Sequence, residues 1–175
     1  MIAGSHGGAR LRAPRGSHTR PTSDRVREAV FSILGTVADD RVLDLFAGSG
    51  ALAIEALSRG AGAATLVDSA PAAIAAIRAN LDALGLDAEV HRRRALEFLA
   101  TARAGARQYD LVFLDPPYRQ ASALGGVLPE ALAPLLAPAA RLVAESDRRA
   151  PLELELPLLR ERRYGDTLIR IHGPR

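Results

Sequence analysis

Asp115, Pro116, Pro117 and Tyr118 stand in a row directly after the apolar run Leu111 to Leu114. The run reads as a short buried strand, because a strand covered on both faces shows continuous apolar residues in place of alternation. Two prolines offer the ladder no N–H and fix their own φ, so the chain leaves the sheet where a carboxylate and an aromatic ring emerge. That combination suits a planar exocyclic amine on a nucleobase, whose lone pair is delocalised into the ring and attacks poorly. The Asp115 carboxylate and the Pro116 carbonyl are two acceptors for the two amine hydrogens, and together they favour a pyramidal nitrogen with an available lone pair. Tyr118 supplies a ring to stack on the base and hold it there. Such chemistry needs the base out of its helix. With a sulfonium methyl group as electrophile it needs neither a strong base nor a metal.

A second constellation lies upstream. Val42 to Gly50 (VLDLFAGSG) reads as a buried strand entering a glycine turn, with a helix from Ala51 to Leu57 after it. Gly48 and Gly50 let a ligand approach the backbone where a side chain would collide, and the helix start offers unpaired N–H groups. Gly48, Gly50 and Ala53 also satisfy the dinucleotide pattern GxGxxA, although such a turn serves tight strand-to-helix packing equally well. Ala63 to Asp68 is a second strand that ends in an acid roughly 20 residues past the turn, where nucleoside-binding α/β folds hold ribose hydroxyls. A carboxylate accepts both hydroxyl protons at once.

The elements that must position these groups alternate. Thr22, Ser23 and Asp24 offer N-cap oxygens for a helix to Leu34, with Val26, Val30, Ile33 and Leu34 on one face and Arg25, Arg27 and Glu28 mostly on another. Pro71 opens a helix through Leu84, Glu89 to Arg92 is a third strand, and Ala95 to Ala102 a further helix. The strand from Tyr109 to Asp115 is followed by one helix from Ala121 to Leu136 and a strand from Ala139 to Glu145. Leu158 to Arg163 and Thr167 to His172 form a hairpin turned at Tyr164-Gly165-Asp166. The pattern predicts a doubly wound, three-layer α/β domain over 23–175, with a mostly parallel seven-stranded, Rossmann-like sheet ending in an antiparallel hairpin.

The 175 residues suit one core, and 48% hydrophobic with 25% charged residues is ordinary for a globular protein. No apolar run approaches a membrane span and the N-terminus lacks the apolar centre of a secretory signal, so a cytoplasmic protein is expected. With no cysteine, thiolate metal sites and a cysteine nucleophile are excluded. All 23 basic residues are arginine, so their placement carries more meaning than their identity. Residues 1–22 contain Gly, Pro, Ser and Arg but no acid, which predicts an unpacked basic arm or loose hairpin. It is either a solvated tail or a contact for phosphates through Arg10, Arg12, Arg15 and Arg20. The run His91 to Arg94 is either a solvated face or added positive charge near the ligand edge.

VLDLFAGSG with LDPPY resembles the class I S-adenosylmethionine-dependent methyltransferases of amino nitrogens. GGARLRAPRGSHTRPTSDRVREAVFSIL, DLFAGSGALAIEALSRGA and YGDTLI resemble, in order, the RsmD family of bacterial 16S ribosomal RNA methyltransferases, and the likeness spans nearly the whole chain. The resemblance implies transfer of a methyl group from S-adenosylmethionine, leaving S-adenosylhomocysteine, to the N2 amine of one guanine, called G966, in an assembled or late-assembling small ribosomal subunit. It implies cofactor contacts from Asp44, Phe46, Gly48, Gly50, Asp68, Ser69, Arg94, Ala95 and Asp115, with no metal. Asp115, Pro116, Pro117 and Tyr118 would engage the guanine, and Arg10, Arg12, Arg15, Arg20 and Arg25 the RNA backbone. One departure stands out: enzymes of this type often carry an acid where Arg94 stands, and an arginine cannot accept the adenine amine's hydrogen. Nothing in the sequence demands a protein partner, and a monomer is expected.

Asp-Pro-Pro-Tyr also serves adenine amines in DNA or RNA, but a DNA enzyme needs a sizeable target-recognition domain for which this length leaves no room. Methylation of a protein glutamine amide uses a similar motif beginning with Asn, and the basic arm argues against it. A nicotinamide dehydrogenase accounts for Gly48, Gly50, Ala53 and Asp68 but leaves Asp-Pro-Pro-Tyr unexplained. A non-catalytic RNA-binding module needs only the arm.

Overall fold

The computed structural model describes residues 1–14 and 23–174, with Tyr118 and Arg119 described by their backbone alone. Arg15 and Arg20 fall outside the described residues. The sheet has seven strands: β1 (Arg41–Asp44), β2 (Ala63–Asp68), β3 (Glu89–Arg92), β4 (Tyr109–Leu114), β5 (Leu136–Asp147), β6 (Leu158–Tyr164) and β7 (Thr167–His172). Their order across the sheet is β3-β2-β1-β4-β5-β7-β6. The first five run parallel, and β7 is antiparallel to both of its neighbours. Chain order reverses between β1 and β4, so the crevice outside their carboxyl ends is the topological switch point, where open α/β sheets bind ligands.

Side-chain alternation along the strands builds two cores. Val42, Leu111, Phe113, Val143 and Ile169 face α1 (Asp24–Leu34), α2 (Ala51–Ser58) and α3 (Pro71–Leu84). Leu43, Val112, Leu114 and Leu142 face α4 (Ala95–Ala104), α5 (Tyr118–Gly125) and α6 (Leu128–Leu132). This is the three-layer, mostly parallel domain that the alternating pattern predicts.

Three expectations need correction. The single helix from Ala121 to Leu136 is broken into α5, α6 and a short 3-10 turn at Ala133–Leu135, and β5 starts directly after it at Leu136. The break falls at Gly125-Gly126, where the chain passes so close to the 151–157 segment that a Cβ on Gly125 would sit 2.3 Å from the carbonyl oxygen of Glu153. Arg27 is buried at 5% exposure and does not lie on a solvent face. It bonds Asp24 at 2.7 Å, and its Nε lies 3.7 Å from the fully buried carboxylate of Glu55.

The third correction concerns the basic arm. Residues 1–14 hold no helix or strand, yet they are docked. The N–H groups of Ile2 and Ala3 donate to the two carboxylate oxygens of Glu55 at 2.8 and 3.0 Å, and Ser5 N–H donates to Ser58 O at 2.9 Å. Met1 and Leu11 pack on the α1–α3 core. Further along, Asn80 of α3 accepts the Arg12 N–H at 2.7 Å and donates to the carbonyls of Arg12 and Ser49 at 3.0 and 2.9 Å. The segment thus runs back along α2 and delivers Arg12 beside the glycine turn. Buried side-chain acceptors satisfy its backbone donors, which accounts for an ordered path without a ladder of its own.

Candidate functional site

The carboxyl ends of four neighbouring strands each carry an acid: Asp68 on β2, Asp44 on β1, Asp115 just past β4 and Glu145 on β5. All four share the strand parity of side chains that face α1–α3, including Leu66, Val42, Phe113 and Val143. The row brackets the switch point.

Its left half is built around the glycine turn. Leu45 N–H bonds Phe113 O at 3.2 Å and Ala47 N–H bonds Val67 O at 3.1 Å, so the chain stays tied to both flanking strands as it leaves β1. Gly48 has φ +55° and Gly50 has φ +80°, conformations that favour glycine. A Cβ on Gly50 would meet Ile54 Cδ1 and Leu66 Cδ2 at 3.0 Å, so this glycine serves packing. A Cβ on Gly48 would meet nothing within 4 Å, so that glycine faces open space. Asp68 stands beside it and joins two loops. Its Oδ2 accepts Gly48 N–H at 2.9 Å and its Oδ1 accepts Ala70 N–H at 2.8 Å. Each oxygen keeps a second lone pair for a hydroxyl donor. Ser69 is exposed next to it.

Asp44 lies beneath the turn. Its carboxylate, 2% exposed, accepts the N–H groups of Phe46 and Ala53 and so braces the turn and the first turn of α2 from inside. Burial, with the charge of Asp68 adding to it, pushes its pKa up to about 7 despite those two bonds. Phe46 is half-buried above it. Past the end of β3, on the outer side of β2, Arg94 is the exposed N-cap residue of α4, without a side-chain cap bond, and Ala95 is buried as the first helical residue.

The right half is the proline turn. Pro116 is buried, Pro117 is exposed and serves as N-cap of α5, and Tyr118 opens that helix. The side chain of Tyr118 lies outside the described residues. Asp115 is half-buried, and burial together with the carboxylates of Glu145 and Asp44 raises its pKa well above its ordinary value. The arrangement sets an acceptor of raised basicity beside an open glycine turn and an acid with lone pairs to spare. It can hold a nucleoside-bearing ligand on the left and a flat amine on the right.

The family whose model matches this chain is described as conserved hypothetical protein 95, and the match covers residues 1–173. The chain belongs to this family. It is the RsmD family to which the segments through YGDTLI point. A relative of 39% identity is the putative rRNA methyltransferase YlbH of Bacillus subtilis, aligned over 100% of this chain and 98% of its own length. Ribosomal RNA small subunit methyltransferase D of Escherichia coli is 42% identical over 69% of this chain and 60% of that protein. The solved putative methyltransferase yhhF from Escherichia coli superposes with a TM-score of 0.84 at 35% identity, over 99% of this chain and 96% of that one.

In this family member the structure brings Gly48, Asp68 and Asp115 to one crevice, with Asp44 and Gly50 buried under its glycine turn and Phe46, Ser69, Arg94 and Ala95 at the ends of the neighbouring elements. Arg10, Arg12 and Arg25 are exposed on the side that carries α1 and the docked segment. Sequence reasoning missed three residues that shape the site. Glu145 stood only as a strand end, although parallel pairing of Leu114 with Ala144 sets it next to Asp115. Glu55 and Asn80 anchor the docked segment. A lone acid inside the apolar helix ALAIEALS was the one available signal for Glu55.

Proposed function

We propose that this chain is an S-adenosylmethionine-dependent methyltransferase of ribosomal RNA, acting on the N2 amine of a guanine of the G966 type in the small ribosomal subunit. The observation that carries the reading is the shared edge: the Asp115-Pro116 acceptors end β4 immediately beside the Gly48 turn and Asp68, in a family with ribosomal RNA methyltransferases among its relatives. The residues fit the cofactor. Gly48 leaves backbone open to it, Asp68 retains acceptor capacity for the ribose hydroxyls, and Asp44 holds the turn from beneath. Bound there, S-adenosylmethionine supplies an electrophilic methyl group on sulfonium.

The chain's own residues do the rest. Asp115 and the Pro116 carbonyl accept the two hydrogens of the guanine amine and orient its nitrogen. As that nitrogen gains the methyl it becomes positively charged and acidic, and Asp115, made more basic by Glu145 and burial, is the group placed to receive the proton. Tyr118 stacks on the extruded base. Arg10, Arg12 and Arg25, with Arg15 and Arg20 between them in sequence, hold the RNA backbone, giving affinity without base readout. With Arg94 in place of an acid, either a backbone group accepts the adenine amine's hydrogen or the adenine contact is weaker. The protein works as a cytoplasmic monomer with no metal, and the assembled or late-assembling subunit is its substrate.

The test is methyl incorporation from labelled S-adenosylmethionine into small subunits and naked 16S RNA taken from cells lacking this protein, with mapping of the base. Label on one guanine amine supports the reading. Label on adenine, DNA or a protein amide, or on no acceptor, overturns it. Asp115→Ala abolishes transfer in this assay, while cofactor binding, read separately by titration, is reduced but measurable.

A further inference from the structure

Beyond the crevice, a groove of about 350 Å³ is lined by Arg148, Arg149, Pro151, Arg163, Leu168 and Arg170. Four guanidinium groups and no carboxylate line it. They come from three separate pieces of chain: the turn after β5, the end of β6, and β7.

Register fixes where the groove lies. Asp147 pairs with Thr167 and Thr167 with Tyr164, so the turn after β5 and the β6–β7 turn stand together at the carboxyl edge of the sheet. That is the edge that carries Asp115. Three strand spacings separate the end of β4 from β6, about 14 Å at the usual spacing. Leu168 and Arg170 alternate with Ile169 and Ile171, which face α1–α3, so the groove opens on the opposite face of the sheet from the docked N-terminal segment.

The acids nearby hold the guanidiniums without filling the groove. Asp166 alone serves both Arg148 and Arg149, each at 3.5 Å. Glu161 bonds Arg163 and Arg170 at 3.0 Å, and Glu153 bonds Arg170 at 2.8 Å. The side chains of Arg148, Arg149 and Arg163 remain 52%, 71% and 70% exposed, against 17% for Arg170. Exposed pairs of this kind are weak, the 3.5 Å pairs of Arg148 and Arg149 above all, so an anion entering the groove competes for these guanidiniums. Arg170, doubly braced, forms a fixed floor with Pro151 and Leu168. A solvated charged face would scatter its arginines along one strand. Here they converge on a concavity, and a planar fork of N–H donors suits phosphate oxygens. The concave shape favours a strand's phosphates over a flat lipid surface, and the large exposed apolar residues Leu96, Val127, Leu158 and Leu159 line none of it.

We infer that this groove is a second phosphate-binding site, gripping the RNA strand a few nucleotides from the flipped base and on the other side of the crevice from the N-terminal arginines. The inference rests on the reading of the substrate as RNA. Two grips on opposite faces hold the strand across the crevice, which positions the target without reading its sequence.

The test uses the full chain, small subunits as substrate, and a 16S RNA fragment containing the target guanine for direct binding by fluorescence anisotropy. The triple variant Arg148→Ala, Arg149→Ala, Arg163→Ala spares the braced Arg170. Its expected effects are at least a tenfold rise in KM and in the fragment's Kd, a kcat within twofold, and a slope of log affinity against log salt shallower by about 2, from three lost single-strand phosphate contacts. The milder pair Arg148→Gln, Arg149→Gln gives a smaller shift in the same direction and stands in if the triple variant folds poorly. Unchanged Kd and salt slope in either folded variant overturn the groove, as does a loss confined to binding of phosphatidylserine vesicles. Failure of the wild-type chain to label any RNA overturns the substrate reading instead, so the two failures are distinct.

Discussion

Asp68 Oδ2 accepts the backbone N–H of Gly48 at 2.9 Å, while its other oxygen accepts Ala70 N–H, so one carboxylate sets the spacing between the glycine turn and the end of β2. Asp68→Ala removes both acceptors and the ribose contact proposed for them. Bonds to a charged group contribute about 1.5–3 kcal/mol each, so S-adenosylhomocysteine should bind ten- to several-hundredfold more weakly by calorimetric titration. Asp68→Asn retains one carbonyl oxygen and falls between. Wild-type affinity in the alanine variant would remove Asp68 from the cofactor site.

Gly48 and Gly50 separate binding from packing. Both have positive φ, but only at Gly50 would a Cβ collide with the core. Gly50→Ala should therefore cost about 1–3 kcal/mol of stability from overpacking alone. Gly48→Ala should cost about 1 kcal/mol, from its backbone conformation, while losing most of its cofactor affinity. Thermal denaturation read beside titration distinguishes them, and equal stability losses would contradict the assignment.

Asp44 carries a pH signature. Its folded pKa of about 7 stands above its ordinary value of 3.8, so between those limits the native state holds a proton that the unfolded chain has lost. Stability contributed by the protonated group is complete below about pH 4 and is lost as pH rises through 7. Over that window the loss approaches about 4 kcal/mol if the group acts alone. Asp44→Asn should remove this slope, so the difference in urea denaturation free energy between variant and wild type should change between pH 5 and pH 8 in the variant's favour. A difference independent of pH would show that Asp44 is ionised throughout.

Asp115 should give the reaction its acid limb. A carboxylate must be ionised to take the amine proton, and its raised pKa means that activity falls away at a higher pH than an ordinary carboxylate would allow. Glu145→Gln removes one of the two neighbouring charges that raise it. The acid limb of kcat/KM should then move to lower pH. An unmoved limb would assign the titration to another group.

Glu55 and Arg27 are buried together, and Glu55 also receives the two backbone N–H groups of Ile2 and Ala3 and the guanidinium of Arg59. Glu55→Ala leaves a buried cation and orphaned donors, a loss of about 3–5 kcal/mol. The N-terminal segment should become sensitive to limited proteolysis before the sheet does. Uniform sensitivity would mean that the segment has other anchors of equal strength.

What was legible in the sequence was local. The strand-turn-helix at Val42 to Leu57, the acid of Asp68 and the prolines after Leu114 announce themselves because dihedral preference and apolar runs act over a few residues. The docking of residues 1–14 was not legible, since it depends on pairing Ile2 and Ala3 with an acid more than fifty positions away. Arg27 misled for the same reason: its burial follows from Glu55, a neighbour only in space. The expected helix from Ala121 failed at Gly125-Gly126, where the cause is the carbonyl of Glu153 on a distant segment.

Asn80 bonds the backbone of Arg12 with both ends of its amide and, through its nitrogen, also donates to the carbonyl of Ser49 in the glycine turn. Under the proposed function those two backbones belong to different ligands, the RNA and the cofactor, and a single side chain holds both. Whatever one ligand does to the position of Asn80 the other must feel. Linkage then requires symmetry: the factor by which bound cofactor tightens RNA equals the factor by which bound RNA tightens cofactor.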